Sequence, residues 1–183
     1  MKRKTNVLII SGYFLPGYKH GGIQKSIVNT IDHLRESINF TVITRNHDVG
    51  EENKSYENIK YNQLNNVDGI KVRYLKSNEK RFKTYIKIIK ELDCDILHLN
   101  SFFDPLTIYV LIAYRFGVIK SKKVILSNRG EFAWASLKIK FLKKIIYIYF
   151  FKLLKLQNKI VWHVSTKYEK EDTEKYFSIN SRD

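Results

Sequence analysis

One run of sequence, residues 6–34, reads NVLIISGYFLPGYKHGGIQKSIVNTIDHL and contains three local patterns. Residues 7–10 are four consecutive apolar side chains rich in β-branching, as in a parallel strand that is buried on both faces. Residues 12–22 contain glycines and a proline and are expected to form an irregular loop. Beyond the loop, apolar residues recur at the spacing of an amphipathic helix, at Ile23, Ile27, Val28, Ile31 and Leu34. The run therefore predicts a buried strand, a loop and a helix.

Two glycines, Gly21 and Gly22, lie at the predicted start of that helix. Unpaired backbone N–H groups and the positive end of the helix dipole favour an anion there, typically a phosphate. A residue without a Cβ also allows the ligand to approach closely. The spacing is neither that of the dinucleotide-binding G-x-G-x-x-G run nor that of the P-loop. Two interpretations stay open, a phosphate site and an ordinary strand–loop–helix turn.

The length of 183 residues is typical of one domain. The single cysteine, Cys94, excludes an internal disulfide framework and indicates a reducing compartment such as the cytoplasm. The first residues, MKRKTNVLIIS, contain an apolar run of only four residues. We therefore interpret this start as the first strand and not as a signal peptide.

The positive charge of the chain is unevenly distributed. The net charge is +15, and residues 80–160 contain 17 Lys and Arg against 5 Asp and Glu, which gives that segment +12. A clustered positive field attracts acidic lipid, nucleic acid or phosphorylated substrates. A base-composition bias of the genome towards Lys, Asn and Ile codons is the alternative explanation.

Strand and helix patterns alternate along the rest of the chain. Further strands are predicted at 40–44, 70–75, 95–99, 123–127 and 160–164, and further helices at 81–92, 104–115, 137–158 and 167–176. The alternation of polar and apolar residues at 70–75 indicates a more exposed or edge strand. The whole predicts a doubly wound α/β domain with a mostly parallel sheet and helices on both faces. Ligands collect at the carboxyl ends of such strands, which selects the loops at 12–22, 100–104 and 128–136.

Polar side chains with suitable chemistry lie in or beside two of these loops. His98 and Asn100 end the strand DILHLNS, and Arg129 and Glu131 follow the strand KVILS. Arg129 offers five donors and a permanent charge, which suit a phosphate or a carboxylate. Asn100 exchanges hydrogen bonds but does not titrate. For His98 a satisfied core position is the alternative, and for Glu131 it is an ion pair with Arg129.

Two further features are candidates for a functional or a structural role. Trp134 either stacks on a sugar ring or anchors the following helix. Ser165 or Thr166 is predicted to cap the last helix, with Glu169 complementing its dipole, which is a structural role.

The predicted helix at 137–158 is long, apolar and basic. One face, expected to dock on the sheet, contains Ile139, Leu142, Ile146, Tyr149, Phe150, Leu153 and Leu154. The other face, expected to lie on an anionic membrane, carries Lys138, Lys140, Lys144, Lys152 and Lys155 among large apolar residues. Six lysines between 138 and 155 make a membrane-spanning segment costly. An ordinary packed helix with a solvated lysine face is the alternative.

Taken in order, these features resemble the N-terminal domain of family 4 glycosyltransferases, which have the GT-B fold. The first loop carries an aromatic–x–proline…Gly-Gly-Ile run, which comprises Tyr13, Pro16, Gly21, Gly22 and Ile23. The other matching features are the DILHLN run, Arg129-Gly130 and the run from Ser165 to Glu169. This chain has Asn100 where family members commonly have a second histidine. It also has no histidine in the loop after 127, where some members carry a functional one.

The resemblance implies that residues 1–177 form the Rossmann-like, acceptor-side half of a retaining glycosyltransferase. Residues 178–183 would begin an interdomain connection, and the donor-binding half with its E-x7-E run is not in this sequence. The implied activity is sugar transfer from a nucleotide-sugar donor to a surface polysaccharide or glycolipid, and the chain is expected to be inactive alone. It also implies a peripheral position on the cytoplasmic face of the cell membrane.

The resemblance also assigns roles to residues. The implied roles are donor diphosphate binding for Gly21 and Gly22, catalysis for His98, Arg129 and Glu131, and acceptor binding for Asn100, Ser101 and Trp134. No cofactor beyond the donor substrate is implied.

Two rival classes stay open. One is a basic binding module for anionic membrane or nucleic acid without catalysis, although the sequence has no recognised nucleic-acid motif and nucleic acid is not expected. The other is a flavodoxin-like or other nucleotide-binding domain. The sequence has neither a Cys/His cluster at metal-ligand spacing nor a D-x-D run, so no metal site is predicted.

Overall fold

The computed structural model describes residues 3–61, 63–76 and 82–179. Within these residues, seven strands form one sheet in the order β3-β4-β2-β1-β5-β6-β7. Their bounds are β1 Thr5–Ile10, β2 Ile38–Arg45, β3 Asn65–Val67, β4 Ile70–Leu75, β5 Ile96–Asn100, β6 Lys123–Ser127 and β7 Val161–His163. All neighbouring strands are parallel except the antiparallel pair β3–β4. The predicted mostly parallel α/β fold is confirmed.

Helices cover both faces of this sheet. They are α1 Gly21–Leu34, α2 Phe82–Glu91, α3 Pro105–Arg115, α4 Trp134–Leu137, α5 Phe141–Leu153 and α6 Lys167–Glu174, with a 3₁₀ helix at Leu156–Lys159. One core forms where Ile27 and Ile31 of α1 pack on the sheet. The other forms under α2, α3 and α5. The strand order reverses between β1 and β5, which makes this pair of strands the switch point where Rossmann-like folds have their ligand crevice.

The strand predicted at 70–75 is not an edge strand. β4 lies between β2 and β3, and Tyr74 is fully buried. The outer neighbour β3 was not predicted, because three residues are too few to show a pattern. Asp68 and Gly69 have φ of 51° and 79°, which are the two positive values that a tight hairpin turn needs.

The single helix predicted at 137–158 is wrong. Lys140 and Lys155 adopt left-handed backbone conformations with φ of 58° and 51°. A left-handed residue ends a helix, so the segment divides into α4, α5 and the 3₁₀ helix.

The predicted orientation of this segment is also wrong. The side chains of α5 that are buried are Ile148 and Phe151, and Phe151 lies 4.7 Å from Phe102 between ring centroids. The residues expected to dock on the sheet are mostly exposed instead: Ile139, Leu142, Ile146, Tyr149, Phe150 and Leu153. α5 has apolar residues on nearly every side, and the aromatic cluster around Phe102 selects which of them are buried.

Lys144 was predicted to face the membrane, but its side chain contacts the protein itself. Its ammonium donates to the carbonyl oxygen of Ser136 at 2.7 Å and lies 4.9 Å from the ring centroid of Phe103. Lys138, Lys140, Lys152 and Lys155 are exposed. Arg81 of the predicted second helix, and residues 180–183 of the predicted interdomain connection, lie outside the described residues.

Candidate functional site

The three loops selected from the sequence all lie at the carboxyl edge of the parallel strands. The first follows β1 and leads to α1, the second joins β5 to α3, and the third joins β6 to α4. The first two loops are in contact, since a Cβ on Gly12 would lie 2.6 Å from Oδ2 of Asp104.

The loop after β1 is held by packing at two glycines that sequence reasoning did not single out. A Cβ on Gly12 would lie 2.3 Å from Nη1 of Arg45, and one on Gly17 would lie 2.2 Å from the hydroxyl of Tyr56. Asp48 fixes the next part of the loop, because its Oδ2 accepts from the backbone N–H groups of Tyr18 and Lys19 at 2.8 and 3.1 Å.

Gly21 and Gly22 are placed differently. A Cβ on either would meet no atom within 4 Å, and α1 begins with no side-chain cap and no acidic residue in its first turn. The N–H of Gly21 donates to the carbonyl oxygen of Tyr18 at 3.5 Å, and no described side chain caps the N–H groups that follow it, which an anion site requires to be free. The phosphate-binding role of these two glycines stays a prediction.

Arg129 connects the third loop to both sides of the crevice. Its Nε and Nη2 donate to Oδ1 of Asn100 at 3.1 and 2.6 Å, and its Nη1 donates to the hydroxyl of Ser26 on α1 at 3.1 Å. Burial lowers the pKa of Arg129, and the carboxylate of Glu169 opposes that shift. Asn100 is buried, and none of the described residues accepts a hydrogen bond from its Nδ2. An unpaired buried donor is rare, which makes this amide a candidate for ligand contact.

His98 is neither a core residue nor isolated. Its Nε2 lies 2.9 Å from the hydroxyl oxygen of Ser127, and the same oxygen lies 3.0 Å from Nδ1 of His163. Burial, followed by the charges of Arg129 and His163, lowers the pKa of His98 to about 4. His98 is thus neutral at neutral pH. Sequence reasoning missed Ser127 and His163, and only the strand register brings them beside His98.

Glu131 does not pair with Arg129. Its Oε1 accepts from the hydroxyl of Ser101 at 2.6 Å, and its Oε2 accepts from the backbone N–H groups of Phe102 and Phe103. Burial raises the pKa of the Glu131 carboxyl. This carboxylate therefore shapes the β5–α3 loop and also occupies the hydroxyl of Ser101, so the catalytic and acceptor-binding roles predicted for these two residues stay untested.

Replacement of Glu131 by alanine is expected to lower the free energy of unfolding by about 2–4 kcal/mol, because three donors lose their acceptor. Urea denaturation followed by circular dichroism measures this. Glu131→Gln keeps an acceptor oxygen and should lose less. A loss below about 0.5 kcal/mol for the alanine variant would mean that the carboxylate does not hold the loop and is free to act on a ligand.

Trp134 does not anchor the following helix. Its side chain is 68% exposed and contacts Phe141 edge-on at 6.0 Å between centroids. Phe132 takes the anchoring position, since it is buried and stacks on Tyr176 at 5.6 Å. The indole of Trp134 is therefore available to a ligand.

The last predicted site motif has the structural role expected of it. The hydroxyl of Thr166 accepts from the backbone N–H of Glu169 at 3.1 Å and caps α6. The Glu169 carboxylate accepts from the N–H groups of Ser165 and Gly130 at 2.6 and 2.7 Å. It thereby holds Arg129-Gly130, where both residues have positive φ.

In the part of the chain that the structure describes, no three or more His, Cys, Asp or Glu side chains are grouped so that they would hold a metal ion. Among the same residues, no helix combines the length and the apolar character that crossing a membrane requires.

Fold and site together define a class of protein: a Rossmann-like α/β domain whose polar and basic side chains converge at the switch point of the sheet. Comparison of the chain with protein-family models, with curated proteins and with solved structures gives no match.

Proposed function

We propose that this chain is the acceptor-side half of a retaining GT-B glycosyltransferase that resembles family 4, and that the whole enzyme transfers a sugar from a nucleotide donor to a surface polysaccharide or glycolipid. The observation that carries the proposal is that two groups suited to an anion meet at the switch point of the sheet. One is the N-terminus of α1, which has no side-chain cap, and the other is the guanidinium of Arg129, which donates to Ser26 of α1. A diphosphate needs this combination of open N–H groups and positive charge.

The acceptor side fits neutral hydroxyl groups. His98 is uncharged at neutral pH, so it offers a hydrogen bond without a charge. The unpaired Nδ2 of Asn100 adds a donor, and the exposed indole of Trp134 adds an apolar face on which a sugar ring can stack. Arg129, whose guanidinium contacts Asn100, supplies charge stabilisation for the departing diphosphate.

This half supplies only one wall of a catalytic cleft. Transfer needs donor and acceptor held together in a defined geometry, and a second domain would contribute most contacts to the nucleotide. We therefore expect the 183-residue chain alone to be almost inactive.

The second part of the proposal is peripheral attachment to an anionic membrane by α5. Its exposed apolar face consists of Leu142, Ile146, Tyr149 and Leu153, each between 61% and 77% exposed. Four exposed lysines border this face or lie at the ends of α5: Lys138, Lys140, Lys143 and Lys155. No Asp or Glu occurs between Glu131 and Glu169 to offset their charge. Apolar side chains with basic neighbours are suited to the interface of an anionic bilayer.

Replacement of Gly22 by valine tests the donor site. The space beside Gly22 is open and its φ is not positive, so the fold should tolerate the side chain. If a diphosphate occupies that space, the KM for the nucleotide sugar should rise at least about tenfold, the effect of losing about 1.4 kcal/mol of binding. The assay is transfer of labelled sugar by the product of the complete gene to membrane-bound acceptor.

The control for this assay is Arg115→Ala, which removes an exposed charge at the end of α3, away from the crevice. An unchanged donor KM in Gly22→Val would remove Gly22 from the site. Robust transfer by the 183-residue chain alone would contradict the two-half mechanism. Binding to anionic vesicles or nucleic acid by a complete gene product that transfers no sugar would favour the non-catalytic binding module.

A further inference from the structure

A chain of three hydrogen-bonding side chains crosses β5, β6 and β7. His98, Ser127 and His163 follow one another on the same face of the sheet, because His98 pairs with Ile125, two residues before Ser127, and Ser127 pairs with His163. The hydroxyl oxygen of Ser127 lies between Nε2 of His98 at 2.9 Å and Nδ1 of His163 at 3.0 Å.

The proton of the buried Ser127 hydroxyl allows only two arrangements of the hydrogen bonds among these three side chains. Ser127 is 1% exposed and has these two nitrogens as its side-chain partners among the described residues. Its proton must be given to one of them, since a buried donor without an acceptor is costly. In one arrangement His98 donates to Ser127, which donates to His163. In the other, His163 donates to Ser127, which donates to His98.

Protonation of His163 selects the second arrangement. A charged imidazole carries hydrogens on both nitrogens, so its Nδ1 then donates to Ser127. Ser127 must donate to Nε2 of His98, and a neutral His98 then carries its hydrogen on Nδ1. When His163 is neutral, the first arrangement leaves both histidines in the Nε2–H form, which is the intrinsically more stable tautomer of a histidine side chain.

The other nitrogen of His98 is available to a ligand. No described residue bonds Nδ1 of His98, and this atom is not among the buried polar atoms that lack a partner, so it reaches solvent at the site edge. It accepts a hydrogen bond in the first arrangement and donates one in the second.

We propose that His163 is a positioning residue that sets, through the hydroxyl of Ser127, whether Nδ1 of His98 accepts or donates a hydrogen bond in the site. With His163 neutral, Nδ1 takes a ligand hydroxyl as its donor. With His163 charged, Nδ1 favours an oxygen acceptor. Assigning that hydroxyl to a sugar acceptor rests on the proposed function, whereas the coupling of the two histidines does not.

Burial and the neighbouring charged groups together lower the pKa of His163 below its ordinary value. Arg129, from the β6–α4 loop, disfavours protonation of both histidines, and Glu169 of α6 favours protonation of His163. Burial is the first cause that lowers the pKa of each, and it weighs more on His98, which is the less exposed of the two. His163 therefore takes up its proton before His98 does.

The test is two-bond ¹H–¹⁵N spectroscopy of the 183-residue chain with labelled histidine, from about pH 8 to about pH 5, where an ordinary histidine titrates. The expected result is that Nδ1 and Nε2 of His98 exchange their protonated and unprotonated ¹⁵N shifts at the midpoint of His163, while His98 stays neutral. His33, on the exposed side of α1, serves as the uncoupled reference.

Variants separate the relay from general pH effects. Ser127→Ala should leave the His98 tautomer insensitive to His163, and Ser127→Thr, which keeps the hydroxyl, should restore the coupling. His163→Phe is the second uncoupling variant and should hold His98 in one tautomer throughout. An unchanged His98 tautomer in the wild type, or the same exchange in Ser127→Ala, would overturn the inference. A working relay in a complete gene product that transfers no sugar would overturn only the proposed function.

Discussion

Replacement of Asp104 by alanine is expected to lower the free energy of unfolding by about 3–5 kcal/mol. Asp104 forms an ion pair with Arg45, with Nη2 and Oδ2 2.9 Å apart and side-chain exposures of only 13% for Arg45 and 11% for Asp104. Without the carboxylate, the guanidinium would be left buried and uncompensated. The same side chain caps α3, since its Oδ1 accepts from the backbone N–H of Leu106 at 2.9 Å.

Urea denaturation near neutral pH measures this loss, and two variants separate its causes. Asp104→Asn keeps an oxygen for the cap but removes the charge, so it should keep most of the destabilisation. Glu171→Ala breaks an exposed pair with Lys167 and should change stability by less than about 0.5 kcal/mol. A loss of only about 1 kcal/mol in Asp104→Ala would mean that the cap alone matters and that the ion pair contributes little.

The ion pair also supports the candidate site. Cζ of Arg45 lies 5.1 Å from the ring centroid of Tyr13, and a Cβ on Gly12 would collide with both partners of the pair. The loop that presents the start of α1 therefore rests on this pair. Under the proposed function, Asp104→Ala should therefore also raise the KM for the nucleotide sugar.

Local signals were enough to predict most of the fold. Residues 7–10 form an apolar run rich in β-branching that is typical of a strand buried on both faces, and β1 is such a strand. Asp104 followed by Pro105 predicted the start of a helix, and Asp104 is the N-cap of α3 with Pro105 in its first turn. These signals work because the capping and burial preferences of a few adjacent residues determine them.

Long-range geometry could not be predicted in the same way. Arg45 and Asp104 are 59 positions apart, and His163 joins His98 only through the register of two further strands. The sequence predicted that His98, Asn100, Arg129 and Glu131 lie at or just beyond the carboxyl ends of strands, but it contains no sign of which of these side chains pair. The orientation of α5 failed for another reason: apolar residues surround this helix, so periodicity did not define a buried face.

The double replacement Leu142→Glu with Ile146→Glu is expected to weaken binding to anionic vesicles at least about 100-fold. Burial of one such side chain in an apolar environment contributes about 1.5–3 kcal/mol, and the new carboxylates are also repelled by acidic lipid. Both side chains are exposed, at 71% and 61%, so unfolding should be almost unaffected. Co-sedimentation with phosphatidylserine-containing vesicles measures the affinity.

The matched control places the same two charges elsewhere. Phe116→Glu with Val118→Glu changes exposed apolar residues just beyond the end of α3, outside the apolar face of α5, and should leave vesicle binding nearly unchanged. If both double variants lose binding equally, the total charge of the protein and not the exposed face of α5 attracts it to the vesicle.

The lysines beside α5 allow a second, independent test of the proposed membrane-binding surface. Lys138→Glu with Lys140→Glu should reduce binding to anionic vesicles by roughly 30-fold or more, at about 1 kcal/mol per lysine removed, and should hardly affect weak binding to neutral vesicles. Lys144 is unsuitable for this test because it bonds Ser136 and supports the fold. Loss of anionic preference with retained weak binding would mean that the apolar face inserts and the lysines select the lipid. Unchanged binding in both double variants would contradict the proposed membrane surface, because the protein would then attach to the vesicle through another part of its surface.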